Sequence, residues 1–367
     1  MLNQEQFKEL LTFQTDQEPV LSLYLGTDAT KESIEITKRQ VRGMLKESGL
    51  DQTAGAATIE KYLAHSYNWT KPGIAMFATA DGRFFRDYPT AVSFRNRLRV
   101  GQRPYLKPLT HLLDHYAHYG VVLVDRVGAK FYEFHLGELQ AVKGYMGENS
   151  RKIKKGSGSS AVGMRGGVGG GRREDEVMQR NLREAAAAAQ QFFAGKPIRR
   201  LFLGGTAETT AQFREILPKQ MQSTIAGAFA IDMTANENEV RQRSLSLLES
   251  VNAERENQLV KNMLAAAAAG KNAAIGLDDT LQAVSEKRVK TLVVSDGFRA
   301  PGYTHRGSGF VVSNLAKSPM GHQELTEITD VIEEAVANTM AGGGHVEIIS
   351  GNDKLENAGR IGAILRY

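Results

Sequence analysis

Residues 120–135 read G-V-V-L-V-D-R-V-G-A-K-F-Y-E-F-H, and this stretch decides the fold. Its first part is almost continuously apolar, which is typical of a strand buried on both faces of a sheet. A turn at Val127 and Gly128 leads into A-K-F-Y-E-F-H, where apolar and polar residues alternate as in a strand with one covered face. The two segments therefore predict a pair of neighbouring strands.

The chain after this pair alternates between strand and helix patterns. Residues 138–145 continue the strands, and residues 174–193 have a helical apolar stripe that includes Val177, Leu182 and Ala185. The acids at 174–176 are expected in the first turn of this helix, where the macrodipole favours negative charge. Further strands are expected at 200–203 and 225–233, with a helix ending at Leu217 between them. This order predicts an α/β fold with a mixed sheet covered by helices.

A basic, glycine-rich segment separates the strands from that helix. Half of residues 156–171 are glycine, and residues 151–173 contain no acid. Such a segment buries too little apolar surface to offset its chain entropy, so we expect a mobile, exposed loop attracted to a polyanion. A plain linker is the alternative, and a phosphate-binding turn is disfavoured because no Gly-Lys-Ser/Thr follows. The predicted RNA-binding residues here are Arg151, Lys152, Lys154, Lys155, Arg165, Arg172 and Arg173.

The first third of the chain carries a second basic stretch. Strands are expected at 19–26 and 73–79 and helices at 31–48 and 54–67, before residues 94–107 read F-R-N-R-L-R-V-G-Q-R-P-Y-L-K. Alternating arginines suit one face of an exposed strand, which is either a solvated surface or an RNA-facing edge. The candidate RNA-binding residues are Arg95, Arg97, Arg99 and Arg103. Three histidines follow at 111, 115 and 118, but no H-E-x-x-H motif is present, and we predict no metal site.

The last third predicts a compact α/β sandwich. Residues 237–269 form one long helical pattern without a breaker, which suggests a helix passing between domains. A capped helix is expected to open at Gly276 and a second helix at 324–340, with strands at 291–295, at 345–350 and at the end of the chain. The glycine-rich stretch 297–310 contains aromatic and basic residues, and it is either plain surface or a partner contact.

Composition restricts the class of protein. The chain has 367 residues, a formal net charge of +5 and no cysteine, which excludes disulfides and thiolate chemistry. No eighteen-residue apolar run or secretory pattern is present, so we expect a cytoplasmic protein that does not cross a membrane. No cofactor and no DNA partner are predicted.

Taken in order, several stretches resemble the eukaryotic and archaeal peptide-chain release factor family, which includes Pelota. V-L-S-L-Y-L-G at 20–26 is similar to the family's opening strand, and residues 120–134 resemble the strand pair that begins its central domain. The basic loop followed by R-N-L-R-E-A-A-A-A-A-Q-Q-F-F occupies the position of the family's catalytic loop and following helix. Residues 276–296 resemble the first helix and strand of the third domain. The final G-R-I-G-A-I-L-R-Y is close to the family's ending and is the most specific of these signals.

This resemblance implies a bacterial family member with three domains. Residues 1–117 would be a domain that enters the decoding region of the small ribosomal subunit. Residues 118–251 would be RNase-H-like and carry the basic loop to the peptidyl-transferase centre. Residues 252–367 would be an α/β sandwich, similar to kink-turn-binding ribosomal proteins, that binds a translational GTPase. The implied partners are the ribosome with its rRNA and tRNA.

Two departures limit the activity that this resemblance implies. The family's loop ends in Gly-Gly-Gln, whereas Gly166 and Gly167 are followed here by Val168, and the next glutamine is Gln179. Glutamine orients water at the peptidyl-tRNA ester, and valine has no side-chain group for that task. No Asn-Ile-Lys-Ser-like motif for stop codons is present in the first domain.

These observations favour a ribosome-binding A-site factor that acts in rescue or hibernation. A peptidyl-tRNA hydrolase or tRNA-cleaving factor that uses Gly166, Gly167, Val168 and Gln179 is the alternative. A module that binds structured RNA outside the ribosome is a third hypothesis.

Overall fold

The computed structural model describes residues 4–15, 17–148, 169–305, 307–317 and 324–367, and gives only the backbone of residues 169–173. The chain divides into two compact units. Unit 1 combines residues 1–114 with residues 254–367, and unit 2 comprises residues 115–253. Within the described residues, no helix is both long and apolar enough to cross a membrane.

The first part of unit 1 is an antiparallel sheet with helices packed on it. The strand order is β3-β2-β1-β4, and β1 is buried along almost its whole length. Leu23 of β1 lies between Met76 of β2 and Leu98 of β4, and Val41 and Ile59 from two helices belong to the same core. The elements are α1 (Gln4–Thr12), β1 (Val20–Gly26), α2 (Ile34–Glu47), α3 (Ala54–His65), β2 (Gly73–Thr79), β3 (Phe85–Thr90), β4 (Arg97–Gly101) and α4 (Lys107–His115).

Unit 2 contains the strand pair that the sequence predicts, within a mixed sheet of order β7-β6-β5-β8-β9. Strand β5 runs antiparallel to β6 and parallel to β8. All residues of β5 are buried, because helices contribute Leu182, Ala185 and Phe213 to the core around it. The elements are β5 (Tyr119–Val124), β6 (Gly128–His135), β7 (Glu138–Met146), α5 (Gly169–Phe193), β8 (Arg200–Gly204), α6 (Ala207–Ile216), α7 (Lys219–Gln222), β9 (Ile225–Phe229) and α8 (Glu237–Ala268).

The second part of unit 1 has a larger and a smaller sheet. The larger has the order β10-β16-β11-β15, and the smaller has the order β13-β12-β14. Leu292, Ile332 and Ile361 belong to the core between the larger sheet and its helices. The elements are β10 (Ala273–Ile275), α9 (Leu277–Ser285), β11 (Val289–Ser295), β12 (Gly302–His305), β13 (Phe310–Val312), β14 (Thr326–Ile328), α10 (Val331–Ala341), β15 (His345–Ile349), α11 (Asp353–Asn357) and β16 (Ile361–Leu365).

The mixed α/β class is confirmed, and three predicted elements need correction. The helix predicted at 324–340 begins at Val331, because Asp330 caps it by accepting a hydrogen bond from the amide of Ile332. Thr326 and Ile328, β-branched residues, lie instead in β14, which pairs with β12. The strand predicted at 225–233 ends at Phe229.

The third correction concerns the helix predicted to begin at Glu174. Helix α5 begins at Gly169, so the last five residues of the predicted loop are helical and the acids at 174–176 lie beyond the first turn. Extending an existing helix costs far less than nucleating one, which allows α5 to continue into three glycines. The domain boundaries at 117 and 251 stay predictions. The boundary between the two units falls inside α8, at residues 253–254.

Candidate functional site

Glu148, which precedes residues 149–168, is held to helix α5 by one buried amide. Asn181, on α5, is 2 % exposed. Its Nδ2 donates hydrogen bonds to the carbonyl of Arg126 at 3.1 Å and to the carbonyl of Glu148 at 2.9 Å. Its Oδ1 accepts a hydrogen bond from the amide of Glu148 at 3.1 Å. Asn181 therefore fixes the residue that precedes this segment to the helix that follows it.

The strand β7 approaches Asn181 closely because Gly147 has no side chain. A Cβ atom at Gly147 would lie 2.2 Å from Asn181 Oδ1 and 2.9 Å from the carbonyl oxygen of Val127. Both distances are shorter than real Cβ contacts allow. The amide of Gly147 also donates to the carbonyl of Val127 at 2.8 Å. The absence of a side chain at Gly147 thus allows Asn181 to pack against the backbone just before residues 149–168.

The turn between β5 and β6 also belongs to this site. Asp125 Oδ1 accepts hydrogen bonds from the amides of Val127, at 2.8 Å, and Gly128, at 2.7 Å. This turn leaves the Arg126 carbonyl available to Asn181 and the Arg126 side chain 68 % exposed. An ion pair between Arg180 and Glu148 lies on the outer side of the same site. Hydrogen bonds therefore hold the backbone at Arg126, Gly147 and Glu148.

Most of the predicted loop residues lie outside the described part of the chain. This applies to Arg151, Lys152, Lys154, Lys155, Arg165, Gly166, Gly167 and Val168, and to the side chains of Arg172 and Arg173. Gln179 is described: it lies in α5, two residues before Asn181, and is half-buried. The RNA-binding and catalytic assignments of these residues stay predictions.

The second basic stretch lies in unit 1, where two of its arginines pair with carboxylates. Arg97 binds both carboxylate oxygens of Asp296, at 2.9 and 3.1 Å, and its side chain is 15 % exposed. Burial would raise the pKa of Asp296, but the hydrogen bonds and charge of Arg97 hold it below its usual value. Arg103 lies 3.3 Å from Glu334 and donates to Gln14. Two arginines expected on an exposed strand face are therefore largely covered.

The other two arginines of this stretch differ from that pair. Arg99 donates to the carbonyl of Leu98 and lies over the ring of Tyr105, 5.9 Å from its centroid. Arg95 lies before β4 and is exposed. Arg95 is thus the exposed member of the set, although it lies outside the strand.

Lys107 is a buried cation that the sequence analysis did not identify as a site residue. Its side chain is fully buried, donates to the carbonyl of Phe298 at 3.0 Å, and lies 3.7 Å from Asp330 and 3.8 Å from Glu333. Burial raises the pKa of Glu333 to about 7, although Lys107 and the amide of Leu106 act in the opposite direction. Lys107 does not belong to an apolar periodicity in the sequence, so its burial is visible only from its tertiary contacts.

Two buried acids and an exposed histidine in unit 1 have the composition of a metal site. Oxygen and nitrogen atoms of Asp114, His345 and Glu347 lie within 4.8 Å of one another. The Arg255 guanidinium, however, binds Asp114 and both oxygens of Glu347. Hydrogen bonds to Asp114 and Glu347 raise the pKa of His345 to about 9, and burial only partly opposes them. Two cationic side chains already neutralise these carboxylates, so the donor set does not fit a metal ion.

His118, one of the three histidines singled out in the sequence, has a stacked partner. His118 lies in unit 2, where its ring stacks on His135 with centroids 3.8 Å apart and lies 3.5 Å from Glu133. Burial lowers the pKa of His135, and the neighbouring His118 lowers it further. The stacked ring of His135 and the nearby Glu133 carboxylate account for the placement of His118.

Residues 104–249 match the sequence model of bacterial archaeo-eukaryotic release factor family 10. No curated protein matches the chain. Among solved structures, archaeal translation termination factor aRF1 is similar at 15 % identity over 99 % of this chain and 96 % of that one, with a TM-score of 0.27. Archaeoglobus fulgidus Pelota is 14 % identical over 80 % and 79 % of the two chains, with a TM-score of 0.37.

Saccharomyces cerevisiae Dom34, a translation termination-like factor described as interacting with Hbs1, is 10 % identical over 80 % of each chain, with a TM-score of 0.41. At these identities and scores the solved structures add no argument about the site. The family match covers all of unit 2 except its last four residues, and it includes Asn181, Gly147 and the segment between them.

Proposed function

We propose that this chain, whose residues 104–249 match the model of a bacterial archaeo-eukaryotic release factor family, is a translation factor that binds the ribosomal A site. Its role would be rescue or hibernation of ribosomes rather than stop-codon decoding. The observation that carries this proposal is the family match across residues 104–249, which contain the cationic segment and Glu148 before it, hydrogen-bonded to Asn181 of α5.

The physical support comes from the base of that segment. Glu148 precedes residues 149–168 in the chain and α5 follows them, and Asn181 of α5 binds the backbone of Glu148. A fixed attachment point before the segment would reduce the entropy lost when its basic side chains bind. Lysine and arginine side chains there would contact phosphates of rRNA or tRNA.

Two sequence features favour rescue or hibernation over termination. Val168 stands where the family has its catalytic glutamine, and no motif for stop codons is present in the first part of the chain. A factor with these features can occupy an A site without reading a codon. Which ribosome state it prefers is decided by comparing empty, stalled and translating ribosomes.

The direct test is co-sedimentation of the full chain with ribosomes over a range of salt concentrations. Binding should fall steeply with salt, because each arginine–phosphate contact releases counterions. Replacing Arg172 and Arg173 with Ala should weaken binding and lower the slope of the log–log salt plot by about two. A matched control replaces two exposed arginines outside the segment, Arg183 and Arg214, and should leave the slope unchanged. Absence of ribosome binding at physiological salt refutes the proposal.

The alternative is a peptidyl-tRNA hydrolase that uses Gly166, Gly167, Val168 and Gln179. Its test is release of labelled peptide from stalled ribosome complexes. Release above background that is lost in Gly167→Ala would favour this enzyme over a binding factor. Equal background release by the wild type and Gly167→Ala would leave binding as the function.

The family resemblance also suggests a translational GTPase as partner, bound through residues 252–367. We propose this partner together with domain boundaries at 117 and 251. Affinity capture with the full chain from stationary cells should recover ribosomal subunits and an elongation-type GTPase. Recovery of ribosomes without a GTPase would refute the partner and retain the ribosomal function.

A further inference from the structure

One methionine of unit 2 is far more exposed than the other methionines that the structure describes. The chain contains 11 methionines and no cysteine, so its sulfur atoms are all thioethers. Met1, Met164 and Met320 lie outside the described residues. Among the others, Met146 is 78 % exposed, whereas Met76 and Met263 are fully buried. The rest are half-buried: Met44, Met178, Met221, Met233 and Met340.

The exposed sulfur lies at the end of strand β7, against the backbone of the neighbouring strand. An ideal Cβ atom on Gly128 would lie 3.1 Å from Met146 Sδ, so the sulfur packs directly on this glycine. Met146 and Gly128 also form the end pair of the β6–β7 ladder. Beyond that pair, the amide of Gly147 donates to the carbonyl of Val127 at 2.8 Å. The end of β7 therefore depends on few contacts, and the sulfur makes one of them.

The position of Met146 gives its exposure a consequence. A single exposed apolar side chain is ordinary on a protein surface. Met146, however, directly precedes Gly147, and Gly147 packs against Asn181. A chemical change at this sulfur would therefore act on the backbone that Asn181 holds just before residues 149–168.

We propose that Met146 is a site of reversible oxidation by hydrogen peroxide, and that its sulfoxide loosens the end of β7. A lone pair of the sulfur attacks one peroxide oxygen, the O–O bond breaks, and this oxygen stays on the sulfur. The other oxygen takes up the released proton and leaves as water. The thioether thus loses two electrons and the peroxide gains them. Methionine sulfoxide reductases reverse the change.

The sulfoxide would weaken the contact with Gly128 because oxidation converts an apolar side chain into a polar one. Its oxygen would be hydrated, and the side chain would leave the glycine backbone. Strand ends open more readily than strand centres, so the hydrogen bond from Gly147 to Val127 should open more often. This effect requires no ribosome, so it is measured on the free protein and is independent of the proposed function.

The experiment treats the full chain with hydrogen peroxide and follows each methionine by peptide mass spectrometry. We expect Met146 to be oxidised about tenfold faster or more than Met76 and Met263, and faster than each half-buried methionine. Hydrogen–deuterium exchange then measures the peptide that contains Gly147. Its exchange should be about threefold faster or more in the oxidised protein, and a methionine sulfoxide reductase should restore the original rate.

Three variants separate Met146 from the other methionines. Met146→Leu keeps an apolar side chain without sulfur, so peroxide should leave its exchange at Gly147 unchanged. Met178→Leu is the matched control, since it removes a half-buried methionine of α5 and should respond as the wild type does. Met146→Gln introduces a polar side chain of similar length and should show the faster exchange without peroxide.

Two results would overturn the proposal. Oxidation of Met146 no faster than that of the half-buried methionines would show that its sulfur is not a preferred site. Complete oxidation of Met146 without faster exchange at Gly147 would show that the sulfoxide does not loosen β7.

Discussion

Arg97 and Asp296 lie 199 residues apart in the chain and form a bidentate ion pair with N–O distances of 2.9 and 3.1 Å. The Arg97 side chain is 15 % exposed and that of Asp296 is 26 % exposed, so solvent screens this pair only partly. The pair connects strand β4 with the end of β11 inside unit 1. An arginine expected to contact RNA thus has an intramolecular partner.

Asp296→Asn should destabilise unit 1 by about 2 kcal/mol, because Arg97 would keep its charge in a half-buried place without a counterion. Urea unfolding followed by circular dichroism measures the loss. Glu327→Gln is the matched control, since it removes one exposed carboxylate of the same unit and should change stability little. Equal stability of the two variants would show that the pair contributes nothing net.

Stability should decrease as pH rises from about 6.5 to about 9. The pKa of His345 is raised in the folded state from 6.5 to about 9 by Asp114 and Glu347. A raised pKa contributes stability that is complete below the unfolded value and is lost as pH passes the folded value. Urea midpoints measured across this range for the wild type and His345→Gln test it. The variant should lack this part of the pH dependence, and identical slopes would contradict the assignment.

Asn181→Ala should destabilise unit 2 by about 2 kcal/mol or more, because it leaves the Arg126 and Glu148 backbone groups without their buried partner. Arg180→Gln, which changes the neighbouring exposed position, should cost less than about 1 kcal/mol. Unfolding free energies in urea distinguish the two. A small effect of Asn181→Ala would mean that water replaces the amide.

Gly147→Ala should also destabilise unit 2, because the added Cβ would lie 2.2 Å from Asn181 Oδ1. The double variant Gly147→Ala with Asn181→Ala removes that collision, so its loss should be smaller than the sum of the two single losses. The Val127 carbonyl, 2.9 Å from the same Cβ, should prevent full recovery. Strictly additive losses would show that the two residues do not interact.

Gln179→Ala should leave peptide release from stalled ribosomes unchanged. Gln179 is half-buried in the regular helix α5, ten residues after its start, which ties its backbone to the helix. A release assay with purified complexes measures the rate for the wild type and the variant. A large decrease would instead assign Gln179 a role in hydrolysis.

The sequence predicted elements well where periodicity alone determines them. Strand β2 occupies the predicted residues 73–79, and α8 ends at Ala268, one residue before the predicted end. The apolar spacing at Leu325 and Ile328 continues that of α10 and therefore predicts a helix over residues 324–330 as well. Pairing of β14 with β12 and the cap at Asp330 outweigh that spacing, and both depend on tertiary structure.

The site was less predictable than the fold for a related reason. Basic charge in the sequence identified Arg97 and Arg103, but the carboxylates that cover them lie about two hundred residues away. The sequence analysis gives Asn181 no role, because it lies within an alanine-rich helix. A polar residue next to Leu182 on the buried stripe nevertheless indicates a buried hydrogen-bonding side chain. Its importance comes from the backbone groups it contacts.

The division of unit 1 into two separated sequence parts has a consequence for biosynthesis. At about 5–20 residues per second, the ribosome needs on the order of ten seconds to produce the residues between Asp114 and Glu254. Throughout that interval Arg97, Lys107 and Asp114 have been synthesised, whereas the residues that neutralise them have not. The nascent chain therefore passes through a stage in which its first sheet can fold while these charges remain open to the rRNA and chaperones at the exit port.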